Sequence, residues 1–267
     1  MIVRAITGVI FIGVIIGSLL WSPHAVSVVF LGFMILGICE FYGILNKHEK
    51  VDVSPGLGMS LAAVISTIAL LAFYDVIREG LFLQTLLPII FIGLVSEIWR
   101  KKGEPILNSA VLVLGLIYVV LPFLLLIGMH YNFESLGNSK VPLVLGMFFL
   151  IWTNDTFAYL TGKAFGKTKL IERVSPNKTW EGTVGGIVLT ILVGGILGYF
   201  TDALVFWIVA AAIISPSAII GDLFESVLKR NLGIKDSGSI LPGHGGILDR
   251  FDATLMAVPF FFLWFSV

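Results

Sequence analysis

Residues 106–129 read ILNSAVLVLGLIYVVLPFLLLIGM, an apolar stretch without one Asp, Glu, Lys or Arg. As a helix it would rise about 36 Å, more than the roughly 30 Å of a bilayer's hydrocarbon core. A helix apolar all round is a deeply buried or membrane-spanning one. Comparable runs recur on both sides, near 5–21, 25–45, 57–74, 81–99, 141–162, 182–201, 203–221 and 251–267. Each is close to the length a spanning helix needs. A transmembrane β-barrel would instead show alternating segments of roughly 10 residues. The expected fold is therefore all-α: a polytopic integral membrane protein of about nine transmembrane helices. The run 203–221 is the least regular, since Ser215-Pro216-Ser217 interrupts it.

Composition agrees. Of the 267 residues, 57% are hydrophobic and only 13% charged, about half the charged share of a soluble domain. Mean hydropathy is +1.01. Lys+Arg 17 balances Asp+Glu 17, so there is no basic excess for a nucleic-acid backbone and no net charge to favour disorder. Cys39 stands alone, which excludes an intrachain disulfide or a cysteine-based metal site. The opening MIVRAITGVIFIGVIIGSLLW is read as the first span, its apolar stretch being long for a signal peptide. With nine spans, every Lys and Arg except Arg78 and Lys140 falls on the side of the N-terminus. The positive-inside rule makes that side cytoplasmic.

Polar residues divide the chain. Residues 1–140 read as a scaffold of about five apolar helices, whose intramembrane acids Glu40 and Glu97 receive no role. Residues 141–267 read as a catalytic region of about four helices with two cytoplasmic polar loops, 163–181 and 223–250. Carboxylates within a membrane normally face a partner or a watery cavity. Asp222 and Glu225 are three residues apart, as are Asp249 and Asp252, so each pair shares a helix face. Between the pairs lie Lys229, Arg230, Lys235, His244 and several glycines. Carboxylates, cations and glycines together suit a metal–phosphate site: Mg²⁺ takes one or two carboxylates plus phosphate oxygens, and lysine and arginine bind the remaining phosphate charge. An interfacial charge network of the acids with Lys229, Arg230 and Arg250 is the plainer alternative. The first loop leads from Asn154-Asp155 through Lys163, Lys167 and Lys169 to Ser175-Pro176-Asn177-Lys178-Thr179. These are donors fit for a triphosphate, and Ser175 or Thr179 is placed to cap the next helix. No G-x-x-x-x-G-K-[ST] element occurs, so a nucleotide here is not held by a P-loop.

The stretch SVLKRNLGIKDSGSILPGHGGILDRFD, Ser226 to Asp252, resembles the signature of phosphatidate cytidylyltransferases at every defined position. Upstream, Asn154-Asp155 with Ala158-Tyr159, residues 175–179 with Glu181-Gly182, and Gly221-Asp222-Leu223 with Glu225-Ser226 resemble the family too. The resemblance implies that CTP and phosphatidic acid give CDP-diacylglycerol and pyrophosphate, with Mg²⁺ and a second cation as cofactors. It implies metal ligation by Asp222, Asp249 and Asp252, and phosphate contacts from Lys229, Arg230, Lys235 and His244. Ser175, Asn177, Lys178, Thr179 and Arg250 are the expected substrate contacts, with Asp155 completing a polar cavity. The implied place is the cytoplasmic face of a membrane, the inner membrane in a bacterium, with lipid as surroundings and no nucleic-acid partner.

Two alternatives stay open at this point, a CTP-dependent lipid kinase and a transporter whose acids bind ions. Also open is the use of Gly182, Gly186, Thr190, Gly194 and Gly198, a stripe that lets another helix approach closely. It serves either packing within the chain or the homodimer that the resemblance suggests.

Overall fold

The structure is a computed structural model that describes all residues except Met1, Lys101, 133–140, 241–244 and Val267; for residues 2–5, Glu79, Leu83 and Asn132 only the backbone is described. The described residues form α1 (Ile2–Trp21), α2 (Pro23–Leu45), α3 (Pro55–Phe73), α4 (Glu79–Ser96) and α5 (Pro105–Gly115). A π-helical turn, Leu116–Val120, joins α5 to α6 (Leu121–Asn132) in one rod. Then come α7 (Leu143–Phe165), the strands β1 (Lys169–Ile171) and β2 (Ser175–Thr179), α8 (Trp180–Phe200), α9 (Leu204–Asn231) and α10 (Leu248–Phe265). The rods follow the nine apolar runs of the sequence in order. Among the described residues, six are long and apolar enough to cross a membrane: α2, α3, the α5–α6 rod, α7, α8 and α9. The apolar parts of α1 and α4, Ile6–Trp21 and Gly80–Ser96, are shorter. The α10 helix is charged at its start by Asp249, Arg250 and Asp252. A count of nine crossings thus goes beyond the helices that length and apolarity identify.

Local chemistry sets the helix ends. Pro23, Pro55 and Pro105 occupy first-turn positions, where a missing N–H is harmless and φ is already helical. Ser22 and Ser54 cap α2 and α3 by accepting from the amides of Ala25 and Leu57. The π turn lies just before Pro122. Pro122 has no amide to donate and its ring crowds the carbonyl four residues back, so the ladder widens there by one residue.

Two boundaries differ from the sequence expectation. Residues 223–231 are not loop: α9 runs unbroken through Pro216 to Asn231. Residues 248–250 already belong to α10. The polar connection therefore spans only 232–247. The helix persists because Glu225 is buried and Lys229 half-buried against neighbouring helices. It stops where Gly233 takes a left-handed φ of 66°, which favours glycine. The 163–181 loop is likewise structured. After α7, β1 and β2 form an antiparallel ribbon pairing Lys169 with Thr179 and Ile171 with Ser175.

Packing puts the polar half together. The α8 helix lies between α7 and α9, and α10 packs on α9 and α6. The glycine stripe is used within the chain. A Cβ on Gly186 would meet Ala158 of α7 at 2.8 Å, and one on Gly194 would meet the Trp207 carbonyl of α9 at 2.6 Å. The core centres on Phe251 of α10, whose ring lies 5.0 Å from Phe123, 5.2 Å from Phe33 and 5.5 Å from Phe11. Glu97 proves to be structural, accepting from Arg100 Nη1 at 2.8 Å and Asn108 Nδ2 at 3.0 Å. Asn108 Oδ1 in turn accepts from the Asp52 amide, tying the segment after α2 to the α4–α5 turn.

Candidate active site

A cavity of about 460 Å³ opens between α7, β2, α8 and α9. Four of its residues, Ser175, Asn177, Lys178 and Thr179, come from β2. Asn154 and Asp155 come from α7 and Asp222 from α9. Their convergence follows from local structure. Thr179 Oγ1 accepts from the Gly182 amide and caps α8. Glu181, in the first turn of α8, accepts from the amides of Lys167 and Thr168 at 3.0 and 3.2 Å. The open end of the ribbon, where the start of β1 and the end of β2 lie side by side, is thus pinned to the start of α8, where an acid also suits the helix dipole. On the other side Gly162 of α7 nearly touches Gly182 of α8, and the β2 residues form one wall of the cavity.

The decisive contact joins the two sequence motifs. Lys178 Nζ of β2 lies 2.5 Å from Asp222 Oδ2 of α9, with both side chains partly exposed. Behind this pair the site is heavily acidic: Asp155, Asp222, Glu225 and Asp252 stand near enough to repel one another. The approach of α9 to α10 permits this, since a Cβ on Gly221 would overlap the Asp252 carbonyl. Lys229 supplies a counter-charge, its Nζ 2.6 Å from Asp249 Oδ1 and 3.3 Å from Glu225 Oε2. Glu225 and Asn154 are both buried here, Glu225 beside the Asp252 carboxyl and Asn154 beside that of Asp155.

Asp249 is engaged differently from its sequence neighbour Asp252. Its Oδ2 accepts from the amides of Ser237 at 2.9 Å and Gly246 at 2.8 Å, and from Ser237 Oγ at 3.0 Å. It pairs with Lys229 and holds Ser237 and Gly246 of the α9–α10 connection. Arg230, Lys235 and Arg250 are exposed, outside the cavity's lining; Arg230 Nη1 donates to the Ile234 carbonyl. His244 lies outside the described residues. Thr183 lines the cavity although no motif of the sequence includes it, and Tyr159, quoted above only as part of a family-like stretch, lines it too. Their helical spacing from Asp155 and Thr179 is the signal that points to them. In the sequence Glu225 stands out as the partner of Asp222 and as part of a family-like stretch, without a role of its own, and the structure buries it beside Lys229.

Comparison with known proteins identifies the family of the chain. The model of the cytidylyltransferase family matches residues 2–267. A phosphatidate cytidylyltransferase of Rickettsia prowazekii is 37% identical over 82% of this chain and 97% of its own length. One from Staphylococcus haemolyticus is 32% identical over 96% of each chain. The chain belongs to the phosphatidate cytidylyltransferase family. Asp155, Asp222 and Lys178 line the cavity, in the half of the chain where the signature lies, while Glu225, Lys229, Asp249 and Asp252 stand behind it, outside its lining.

Proposed function

We propose that this cavity binds CTP and phosphatidic acid and carries out transfer between them; the observation that carries the proposal is the Lys178–Asp222 contact, which brings the two polar motifs into one site. As a family member the chain is an enzyme that makes CDP-diacylglycerol from CTP and phosphatidate. A phosphate oxygen of phosphatidic acid attacks the α-phosphorus of CTP, and the bond to the β-phosphate oxygen breaks, releasing pyrophosphate. Both substrates are anions, so charge neutralisation dominates the barrier.

A magnesium ion fits the donor set. Four carboxylates, Asp155, Asp222, Glu225 and Asp252, face only part of their charge in the lysines Lys178 and Lys229. Among the described residues no three acidic or histidine side chains already converge on one point, but Mg²⁺ characteristically takes one or two carboxylates and fills its shell with water and phosphate. Asp222 and Asp252 are the proposed ligands, with Asp249 joining when Lys229 turns to a phosphate; a second cation has the remaining acids available. Bound there, the metal would neutralise phosphate charge on the attacking and leaving sides. The chain's own groups do the rest. Lys178 exchanges Asp222 for a triphosphate oxygen, Asn177 and Ser175 donate to the nucleotide, and Thr183 and Asn154 offer donors deeper in the cavity. Arg230, Lys235, His244 and Arg250 are proposed as outer contacts for the departing pyrophosphate.

The protein is a multi-pass membrane protein, and we place the cavity at the cytoplasmic face, where CTP arrives. Tyr159 lines the cavity and is 65% exposed, so we place the entry of phosphatidic acid from lipid on its side of the cavity. A homodimer belongs to the same proposal; the α8 glycine stripe, being buried within the chain, would not form it. The test is pyrophosphate release by purified protein in mixed micelles with CTP, phosphatidic acid and Mg²⁺. Release should vanish without lipid or with EDTA, and Asp222→Asn should lower it by about 10²–10³-fold, as loss of a preorganised charge does. Release of CDP instead of pyrophosphate would refute the reaction.

A further inference from the structure

A carboxylate far from the signature in sequence reaches into its loop. Glu40 sits in α2, 9% exposed, inside the apolar scaffold. Its Oε2 accepts from the Leu248 amide at 3.0 Å and lies 3.2 Å from Ser237 Oγ. Leu248 is the first residue of α10, and no side chain from α10's own N-cap residue satisfies that end. A helix start leaves amides without internal partners and favours a nearby negative charge. Glu40 therefore supplies, from another helix, the cap that α10 lacks. The fit leaves no room for side chains: a Cβ on Gly238 or Gly246 would overlap the Glu40 carboxylate.

Ser237 makes the connection to the site. Its hydroxyl touches Glu40 Oε2 and Asp249 Oδ2, and its amide donates to Asp249 Oδ2. Asp249 also receives Lys229. One chain of contacts thus runs from the scaffold to the acid–lysine pair: Glu40, Ser237, Asp249, Lys229. We propose that Glu40 is a positioning residue for the transfer reaction, clamping Ser237 and the start of α10 so that Asp249, Lys229 and Asp252 keep their places. The proposal rests on the reading of those three residues as part of the reaction centre.

The experiment compares Glu40→Gln, Glu40→Ala and Ser237→Ala with wild type, each assayed on the folded fraction isolated in detergent. Partners of this kind, when removed, typically lower activity by about 10–100-fold. Glu40→Ala should lose kcat in that range while KM for CTP stays near wild type, because the β2 contacts are untouched. Glu40→Gln, which keeps an acceptor for the Leu248 amide, should recover most of the loss. The double variant Glu40→Ala/Ser237→Ala should be little worse than Glu40→Ala alone, as expected for one network. Amide exchange gives a readout independent of activity: peptides containing Ser237 and Leu248 should exchange faster in Glu40→Ala, and those of α3 should not. Wild-type kcat in folded Glu40→Ala, or strictly additive losses, would overturn the proposal. If wild type itself released no pyrophosphate, the reaction reading would fail instead, and exchange at Leu248 would still decide whether the clamp exists.

Discussion

Lys229 is shared between two acids, and that makes its removal more severe than loss of a surface pair. Its side chain is 12% exposed, those of Glu225 and Asp249 only 1% and 6%. Breaking a buried pair by removing one partner typically destabilises by about 3–5 kcal/mol, since the other charge is left uncompensated. Lys229→Met should lower thermal stability in detergent accordingly and abolish pyrophosphate release. Lys178→Met should behave otherwise. Its pair with Asp222 is 26% and 39% exposed, and exposed pairs contribute about 0–1 kcal/mol. Melting should hardly move, while KM for CTP rises as a phosphate contact is lost. Equal loss of stability in the two variants would contradict the assignment of Lys178 to substrate. Both lysines are visible in the sequence as members of basic motifs. Their different roles are not, because burial depends on which helix lies opposite.

Helix contacts carry the same logic one level up. The apolar runs reveal the rods because hydrophobic length is a local property, and Thr179 announces the start of α8 through its capping position. The end of α9 is hidden. Glu225-Ser226-Val227-Leu228-Lys229-Arg230 looks solvated in one dimension, and only packing against α10 turns it into a buried helical face. The Glu40 contact with Leu248 is equally illegible, as a pairing across such sequence separation leaves no periodicity. Close helix approach yields a sharp prediction. Gly186→Val must push α8 from Ala158 of α7, at about 1–3 kcal/mol for overpacking, and should raise KM for CTP because Asp155 and Thr183 line the cavity from those two helices. Gly195→Ala is the control, its nearest neighbour being Ile208 at an ordinary 3.7 Å. Equal effects of the two substitutions on melting and KM would show that the α7–α8 contact does not shape the cavity.

At the scale of the molecule, contacts at the two ends of the bundle agree with rods that alternate in direction. His24, Tyr74 and Tyr131 meet at one end: His24 Nδ1 is 2.9 Å from the Tyr74 hydroxyl, and the Tyr74 and Tyr131 rings are 4.9 Å apart. Asp52, Glu97, Arg100 and Asn108 meet where α2 and α4 finish and α5 begins. The β1–β2 ribbon follows the end of α7, so with alternating rods it lies at this second end together with most of the basic residues. Anionic lipid of a cytoplasmic leaflet attracts each nearby Lys or Arg by about 1 kcal/mol, enough in sum to fix which way the bundle sits. Cysteine mapping tests that orientation. With Cys39→Ala as background, Lys169→Cys and Lys235→Cys should resist a membrane-impermeant maleimide in intact cells and react once the membrane is opened, whereas Arg78→Cys should react from outside. The reverse pattern would put the cavity on the outer face, away from CTP, and would overturn the cytoplasmic placement. Reaction of Lys169→Cys and Lys235→Cys from opposite sides would break the alternation itself, because β1 and the α9–α10 connection could then not share the cavity's end of the bundle.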